Sequence, residues 1–418
     1  MHPSRRGRPT PRHQINLSPT VLAAVSGALA SRQITRGPHV ERFERRFADA
    51  VTVPWALGTA SGRDAFLLAL RALQLQPGDA VIVPDYTLAA VPALIVAMGL
   101  EPVFVDADPA THQLDPAKLE AAITPRCKAV LATHLFGLTC DMPRICAIAE
   151  RHGLVVLEDC AQSCGSTLGD QPIGSFGHLA FFSFNTGKNI TCFGGGMLVG
   201  RDPEPWERVV SIAKHWGQQQ RRALLARVAR TLLTGVATSR SGFPLTLYPA
   251  LRLATRLGST RLDRMMVEDV IPPSLPRHPA LLADLQARVG LVQLDRLDAV
   301  NARTRRHAEI LQAALEDLPG VRIPQPLPGS EPSRFYLKVE VPDREGLRQR
   351  LLEAGVDSNA DDMFACSELE IFRPWAQHCP VSSHIHAHSL ELPNGFHMSD
   401  GEVEQLAQRI RRVFLIPR

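Results

Sequence analysis

The sequence predicts an α/β protein in which a mostly parallel central sheet is sandwiched between helices. Apolar runs too short for buried helices recur along the first half of the chain, at 80–83, 102–105, 128–135, 154–157 and 180–184. These runs lack the polar–apolar alternation of half-exposed strands, as expected for strands covered on both faces. At 418 residues the chain also exceeds one average domain. We expect a large domain over residues 1–275 and a smaller α/β domain over residues 276–418.

Helical spacing of apolar residues fills the segments between these runs. The spacing predicts helices within 39–70, 88–98, 116–123 and 142–152, a long helix over 281–315 and a final surface helix over 401–415. Strands that alternate with helices in this way are typical of a parallel sheet built from strand–helix–strand units. Ligands of such sheets bind beyond the carboxyl ends of the strands. That rule directs attention to Asp85, Asp106, His134, Asp159 and the segment 185–188.

Composition and charge argue against several other classes of protein. A hydrophobic fraction of 45% is typical of a globular chain, and a net charge of +4 does not by itself favour nucleic-acid binding. No apolar stretch is long enough to span a bilayer, and no secretory signal follows the basic N-terminus. The eight cysteines include no CxxC pair, so we expect no metal site, reduced thiols and a cytoplasmic location.

The segment 218–262 differs from its surroundings because arginines alternate with Leu, Val, Ala and Tyr. One interpretation is a basic amphipathic element that contacts an anionic membrane surface or a partner. The plainer interpretation is a helical insertion, within 218–275, that packs on its own protein and turns its arginines to solvent. The sequence leaves both open.

Asp159 is the first candidate for chemistry because it follows the apolar run 154–157. A carboxylate at the mouth of a sheet is partly desolvated and requires a positive partner. A protonated pyridine nitrogen is one such partner, and an Asp held against it strengthens the electron sink of a cofactor. The alternative is an Asp that caps the next helix.

Two further segments complete the pattern. Lys188 lies five residues after Ser183, and Gly187 and Gly194 let the backbone approach a ligand closely. The Ser61-Gly62 step opens an amphipathic helix, where free N–H groups and the helix dipole favour an anion such as a phosphate. Taken singly, these segments also fit a surface lysine in a glycine-rich turn and an ordinary helix cap.

In combination, these motifs resemble the DegT/DnrJ/EryC1/StrS family of sugar aminotransferases, which are fold-type I enzymes dependent on pyridoxal 5'-phosphate. The resemblance rests on ordered matches at 37–44, 83–87, 102–106, 134–137, 158–162, 183–188 and 285–297. It implies that Lys188 is the Schiff-base lysine, Asp159 the partner of the pyridine nitrogen and Gln162 the residue against the ring. It also implies that the Ser183 hydroxyl binds the phosphate and that Gly62, Arg63 and Asp64 form the phosphate loop.

The chain departs from the family pattern at several positions. Arg63 stands where a threonine is usual, and Leu88 stands where an aromatic ring often covers the cofactor. The Asn-x-Arg motif that a neighbouring subunit usually contributes is missing, and its place falls on Pro279 and Leu281, with Arg277 and His278 just before.

The resemblance implies a homodimer that transfers an amino group, typically from glutamate, to a keto-sugar, which we expect to be nucleotide-linked. A related sugar 3-dehydratase carries histidine in place of the Schiff-base lysine, so Lys188 argues against that activity. A cofactor-binding protein without transaminase activity, regulatory or attached to a membrane through 218–262, is the alternative.

Overall fold

A nine-stranded sheet lies at the centre of the protein. The computed structural model describes residues 8–257, 278–360 and 363–415. Its strands are β1 (Trp55–Thr59), β2 (Ala80–Pro84), β3 (Tyr86–Thr87), β4 (Glu101–Val105), β5 (Cys127–Thr133), β6 (Val155–Asp159), β7 (Thr167–Leu168), β8 (Gln171–Pro172), β9 (Leu179–Ser183), β10 (Gly196–Gly200), β11 (Gly217–Gln218), β12 (Ala280–Leu281), β13 (Ser330–Glu331), β14 (Leu337–Glu340), β15 (Phe364–Ala365) and β16 (Ser389–Leu392). The central sheet has the order β11-β12-β1-β10-β9-β6-β5-β2-β4.

Helices cover the sheet and form most of the C-terminal part. They are α1 (Pro19–Ser31), α2 (His39–Val51), α3 (Gly62–Ala72), α4 (Ala90–Ala97), α5 (Pro116–Ala122), α6 (Met142–His152), α7 (Pro203–Ala213), α8 (Arg221–Ala237), α9 (Leu247–Arg256), α10 (Asp284–Leu294), α11 (Leu297–Ala313), α12 (Arg344–Glu353), α13 (Pro380–His388) and α14 (Asp400–Leu415). Short 3-10 helices span Phe243–Leu245, Cys366–Glu368 and Glu370–Trp375.

Five neighbouring strands of the sheet, β4, β2, β5, β6 and β9, run parallel, and β10 and β1 run antiparallel to their neighbours. Successive side chains of these strands enter opposite layers: in β2, Ile82 lies in one apolar cluster, whereas Val81 and Val83 lie in the other. Because both faces are buried, the strands need no polar face. The predicted α/β fold with a mostly parallel sheet is confirmed.

Two of the predicted helical segments each contain two helices. Within 39–70, α2 ends at Val51, where Thr52 adopts a left-handed conformation with φ of 57°, and β1 precedes α3. Apolar positions on both sides of this strand imitate one continuous helical period. The predicted long helix over 281–315 is two helices, α10 and α11, because the backbone leaves helical geometry at Arg296. The final helix is confirmed as α14.

A separate apolar cluster forms the C-terminal part around the β14–β16 pair, with α11, α12 and α14 packed on it. The N-terminal segment joins this part through a buried ion pair, in which Arg12 Nη2 lies 2.8 Å from Asp357 Oδ1. β12 belongs to the central sheet, and α10 packs on α1 and α2. The domain boundary at 275/276 falls on residues outside the described ranges and stays a prediction.

The basic segment folds as helices where it is described. α8 buries Leu224, Val228, Thr231 and Gly235, and a Cβ on Gly235 would lie 2.3 Å from the side chain of Leu17. No helix in residues 8–257, 278–360 or 363–415 combines the length and hydropathy of a bilayer-spanning segment.

Candidate active site

Asp159 ends β6 at the carboxyl edge of the sheet, where it is 5% exposed. Burial raises the pKa of its carboxyl group to about 6, whereas the Ala161 N–H, Lys188 and His134 act in the opposite direction. Oδ1 accepts the Ala161 N–H at 2.9 Å, and no described residue donates to Oδ2. The carboxylate therefore has one open oxygen and a need for a positively charged neighbour.

A buried hydrogen-bond network fixes the strand ends around Asp159. Glu158 accepts the backbone N–H groups of Gly174, Phe176 and Gly177 at 2.7–2.9 Å, and its Oε2 lies 3.2 Å from Nε2 of His134. The Cys140 N–H donates to Nδ1 of His134 at 3.0 Å, so the ring proton sits on Nε2 and is donated to Glu158.

With Cys160, this pair is the one close group of three metal-ligand side chains that the described residues contain. The Glu158 oxygens and both ring nitrogens already have partners, so the group is structural.

Lys188 lies in a loop after β9 that other elements hold in place. Its side chain is half-buried, and Nζ lies 5.9 Å from the centre of the Tyr336 ring. The Tyr336 hydroxyl donates to the carbonyl oxygen of Gly187. Gln293 bonds both backbone groups of Thr191, and Asn301 accepts from Asn189 at 2.9 Å. The loop thus presents the Lys188 amine near Asp159 with little freedom.

A glycine contact joins the N-terminus of α3 to the end of β9. A Cβ on Gly62 would lie 2.9 Å from Cβ of Ser183, and a Cβ on Gly196 would lie 2.6 Å from the Gly62 nitrogen. The first amides of a helix have no intrahelical acceptor. Here they and the Ser183 hydroxyl meet at one place, which favours a bound anion.

Gln162 and Leu88 follow the carboxyl ends of strands of the sheet. Oε1 of Gln162 accepts the Phe136 N–H at 2.9 Å, which fixes the orientation of its amide. Leu88 is half-buried and packs against the cluster that includes Phe136 and Tyr336. Both side chains therefore contact the surroundings of Phe136.

Arg63 and Asp64 face a cavity of about 1210 Å³ beside α3. Asp64 receives a hydrogen bond from the Ser61 hydroxyl at 2.9 Å, and burial raises the pKa of its carboxyl group to about 6. Arg227 and the exposed His278 line the same cavity. Arg277, the other candidate for the missing intersubunit contact, lies outside the described residues.

Two of the other carboxylates at strand ends accept hydrogen bonds from the backbone of a neighbouring segment. Asp85 accepts the Ser367 N–H at 2.6 Å, and Asp106 accepts the Ser382 N–H at 2.8 Å. Both anchor the segment after β15 to the sheet. Tyr336 and Asn301 could not be found from the sequence, because they follow Lys188 by more than a hundred positions and belong to no matched motif. Gln293 lies in the matched segment 285–297, but nothing in that pattern indicates its contact with the lysine loop.

Comparison with known proteins identifies the family. The profile of the DegT/DnrJ/EryC1/StrS aminotransferase family matches residues 16–235 and 273–411. The chain belongs to this family. It is therefore an aminotransferase, and the two matched segments contain every site residue discussed above.

Several members of the family are similar over most of their length. A UDP-N-acetyl-3-dehydro-alpha-D-glucosamine 3-aminotransferase from Acidithiobacillus ferrooxidans is 31% identical, with 96% of this chain and 95% of that protein covered. A dTDP-3-amino-3,4,6-trideoxy-alpha-D-glucose transaminase from Streptomyces venezuelae is 33% identical over 80% and 76%. The crystal structure of S. venezuelae DesV with a ketimine intermediate superposes with a TM-score of 0.78 at 28% identity, covering 99% of this chain and all of that one.

Proposed function

We propose that this aminotransferase uses pyridoxal 5'-phosphate to move an amino group from an amino-acid donor, glutamate, to the keto group of a nucleotide-linked sugar. The observation that carries the proposal is the common location of Asp159, Lys188 and the Gly62–Ser183 contact at the carboxyl edge of the sheet. A phosphate seat, a buried carboxylate and an amine are the three groups that this cofactor requires of a protein.

The residues fit the cofactor chemically. The open Oδ2 of the buried Asp159 can accept from a pyridinium N–H, and this contact would supply the positive charge that burial of the carboxylate demands. The tight approach of Gly62 to Ser183 leaves helix amides and a hydroxyl for the phosphate. When bound, pyridoxal phosphate supplies an aldehyde and a ring that delocalises negative charge from the substrate α-carbon.

Each side chain has a distinct task in this proposal. The Lys188 amine would hold the cofactor aldehyde and would move a proton at the substrate α-carbon as general acid and base. Asp159 would hold the proton on the ring nitrogen. Gln162 and Leu88 would lie against the ring, and Tyr336 keeps the Gly187 carbonyl, and thereby the lysine loop, in position.

The acceptor follows from the relatives. Proteins covering most of this chain act, by their names, on a UDP-linked 3-dehydro sugar and form a dTDP-linked amino sugar. We therefore place a nucleotide-linked keto-sugar in the acceptor site. The half-open cavity beside α3 carries Arg63, Arg227 and His278, cationic or imidazole groups that suit a phosphorylated ligand or a neighbouring subunit.

We also propose a cytoplasmic homodimer. All eight cysteines lie in the described residues, and each is a free thiol, as expected in a reducing compartment. The place of the missing Asn-x-Arg motif lies at the cavity that includes His278 and the N-terminus of α3, a position suited to completion by a second subunit.

Absorbance spectroscopy tests the cofactor and the reaction together. Purified protein supplied with pyridoxal phosphate should show a lysine-bound chromophore that changes when glutamate is added, and borohydride reduction followed by peptide mapping should label Lys188. The Lys188→Ala variant should show neither response. Labelling at another lysine would overturn the assignment. A chromophore without any response to amino donors would instead favour a regulatory protein that binds the cofactor.

The acceptor requires a separate measurement. Glutamate-loaded protein should be mixed with a panel of UDP- and dTDP-linked keto-sugars, and aminated product should be detected by mass spectrometry. Product from an unlinked sugar or a keto acid, and none from the nucleotide-linked compounds, would contradict the proposed substrate class while leaving the transaminase activity intact.

A further inference from the structure

Charge is strongly segregated along this chain. The stretch from Arg208 to Leu262 contains nine arginines and one lysine but no aspartate or glutamate. Since the whole chain has a net charge of +4, the remainder is net acidic. A segment of this length without any carboxylate is unusual for a solvated protein surface, where opposite charges are interspersed.

Part of this stretch is not matched by the family profile. The profile matches residues 16–235 and 273–411, so 236–272 lies between the two matched segments. Nine large apolar side chains are exposed in the described residues, and five of them fall between 233 and 257. They are Leu233 (72% exposed), Val236 (63%), Leu245 (82%), Leu253 (59%) and Leu257 (74%). Exposed apolar side chains concentrated in one short segment indicate an interaction surface.

The helix α8 presents one apolar face to the protein and a different one to solvent. Of its buried positions, Leu224 and Val228 lie in one apolar cluster with Val21 and Val25 of α1. Thr231 and Gly235 are buried on the same side. At 100° per residue, Leu233 and Val236 lie on the opposite side, together with Arg222 and Arg230. Neither arginine has a carboxylate partner within the described ranges. Packing on the protein therefore accounts for one side of this helix and not for the other.

The same arrangement recurs in α9. Leu251 is its buried residue, and the exposed Leu253 and Leu257 follow on the outer side with the exposed Arg256. Two other arginines of the segment are engaged: Arg240 pairs with Glu402 at 2.6 Å, and Arg252 lies over the Tyr248 ring at 5.8 Å. The outer sides of α8 and α9 thus combine leucines with arginines that have no carboxylate partner among the residues that the structure describes. We call these outer sides, with Leu245 between them, the basic leucine surface.

We propose that the basic leucine surface, formed by the outer sides of α8 and α9, docks on a membrane surface that contains anionic lipids. Leucines that enter the boundary between headgroups and acyl chains gain by burial, and arginines beside them meet lipid phosphates. This mode requires no spanning helix. It would place the aminotransferase site next to a membrane, beyond the reaction proposed above and independent of it.

Charge decides between this occupant and a second copy of the chain. A two-fold interface would bring the same surface against itself, so Arg222, Arg230 and Arg256 would face like charges without carboxylates to pair with. Nucleic acid would suit the arginines but not the leucines, because its binding surfaces are polar and positively charged. Only an anionic surface with an apolar layer beneath it matches both features.

Vesicle flotation with the full-length protein tests the proposal. Wild-type protein should float with vesicles of phosphatidylcholine and phosphatidylglycerol but not with phosphatidylcholine alone, and raised salt should reduce the bound fraction because charges are screened. The Arg222→Glu/Arg230→Glu variant should lower the partition coefficient by about tenfold or more. The Leu253→Gln/Leu257→Gln variant should lower it by roughly tenfold.

Control variants outside the basic leucine surface test whether a loss of vesicle binding depends on where the substitutions lie. Arg126→Glu/Arg373→Glu makes the same change in net charge at exposed side chains outside the surface, and Ile371→Gln/Leu415→Gln removes two exposed apolar side chains there. Both should float like wild type. Transaminase activity in solution serves as the check that every variant is folded.

Four results would overturn the proposal. The first is failure of the wild-type protein to float with anionic vesicles, and the second is an equal loss of binding in the control variants and the surface variants. The third is a change of oligomeric state in the leucine variant, measured by light scattering, without any vesicle binding, which would assign the surface to a second copy. Binding to an acidic polypeptide but not to vesicles would assign it to a protein partner.

Discussion

The carboxyl edge of the sheet and the helices from 221 to 257 represent two different uses of polar residues. At the sheet edge, Glu158 and His134 are fully buried, and each oxygen or ring nitrogen has a partner. On the outer sides of α8 and α9, Arg222 and Arg230 are exposed and have no carboxylate partner in the described residues. Hydrogen bonds within the protein hold the side chains of the first region in place. The second region has the composition of a surface that binds a partner outside the chain.

Because of this difference, substitutions in the two regions should have different effects on the reaction. A buried network has a large cost for any unpartnered group, so single substitutions there should alter both stability and chemistry. Exposed helix faces tolerate substitution, and effects there should appear only when the partner is present. Variants at the sheet edge and on the helix faces can therefore be compared by their activity and stability.

Replacement of Lys188 should have the largest effect. Lys188→Ala removes the amine that holds the cofactor aldehyde and moves the proton, so kcat should fall by about 10⁴-fold or more. Steady-state assays with glutamate and an acceptor sugar provide the measurement. Lys128→Ala, an exposed lysine on β5, should retain wild-type activity. Equal losses in both variants would contradict a special role for position 188.

Asp159→Asn should reduce kcat by roughly 10²–10³-fold, because a neutral amide cannot hold the charge on the ring nitrogen. Cofactor-free protein should show the opposite effect on stability. Since burial raises the pKa of Asp159 from 3.8 to about 6, the folded state binds this proton more tightly than the unfolded state, and the free energy of unfolding falls as pH rises from 4 to 6.

Asn removes that penalty, so the variant should gain up to about 3 kcal/mol at pH 8 and little at pH 4. Urea denaturation of the cofactor-free protein at the two pH values measures the gain, with the exposed Asp170→Asn as control. A gain of equal size at both pH values would show that titration of this carboxyl group is not its source.

Gly62→Ala should weaken cofactor binding by about tenfold to a hundredfold. The added Cβ would lie 2.9 Å from Cβ of Ser183, so the N-terminus of α3 must move away from β9 and widen the phosphate seat. Titration of cofactor-free protein with pyridoxal phosphate measures the change. Gly401→Ala, where a Cβ meets nothing within 4 Å, should bind normally.

Tyr336→Phe should lower kcat by about tenfold or less, because it removes one hydrogen bond to the Gly187 carbonyl but keeps the ring near Lys188. Tyr248→Phe, in α9, is the matched control. An unchanged kcat for Tyr336→Phe would mean that Gln293 and Asn301 suffice to hold the lysine loop.

The smallest effect on the reaction is expected at the basic leucine surface. Arg222→Glu/Arg230→Glu should change kcat in vesicle-free solution by no more than about twofold, since neither side chain is buried or paired in the described residues. A large loss in solution would remove the contrast between the two regions.

Local patterns were sufficient to predict the parallel strands and the residues at their ends. Apolar runs at 80–83 and 154–157 became β2 and β6 because buried strands have a characteristic length and no polar face. Local patterns were insufficient at β1. Its five residues lie between two helices whose apolar side chains repeat with the same spacing. The division between α10 and α11 at Arg296 was likewise invisible, since apolar spacing continues on both sides.

The residue types of the candidate site can be read from the sequence. They are an Asp after one strand, a Ser and a Lys after another, and a Gly at the start of a helix. Which of the carboxylates at strand ends can bind a ligand depends on the tertiary structure. Asp85 and Asp106 are as well placed in sequence as Asp159, but they bind the backbone of residues 367 and 382, far along the chain. The partners of Lys188, Tyr336 among them, were decided in the same way. Side-chain types and spacing depend on local sequence, whereas contacts across hundreds of residues depend on how the whole chain packs.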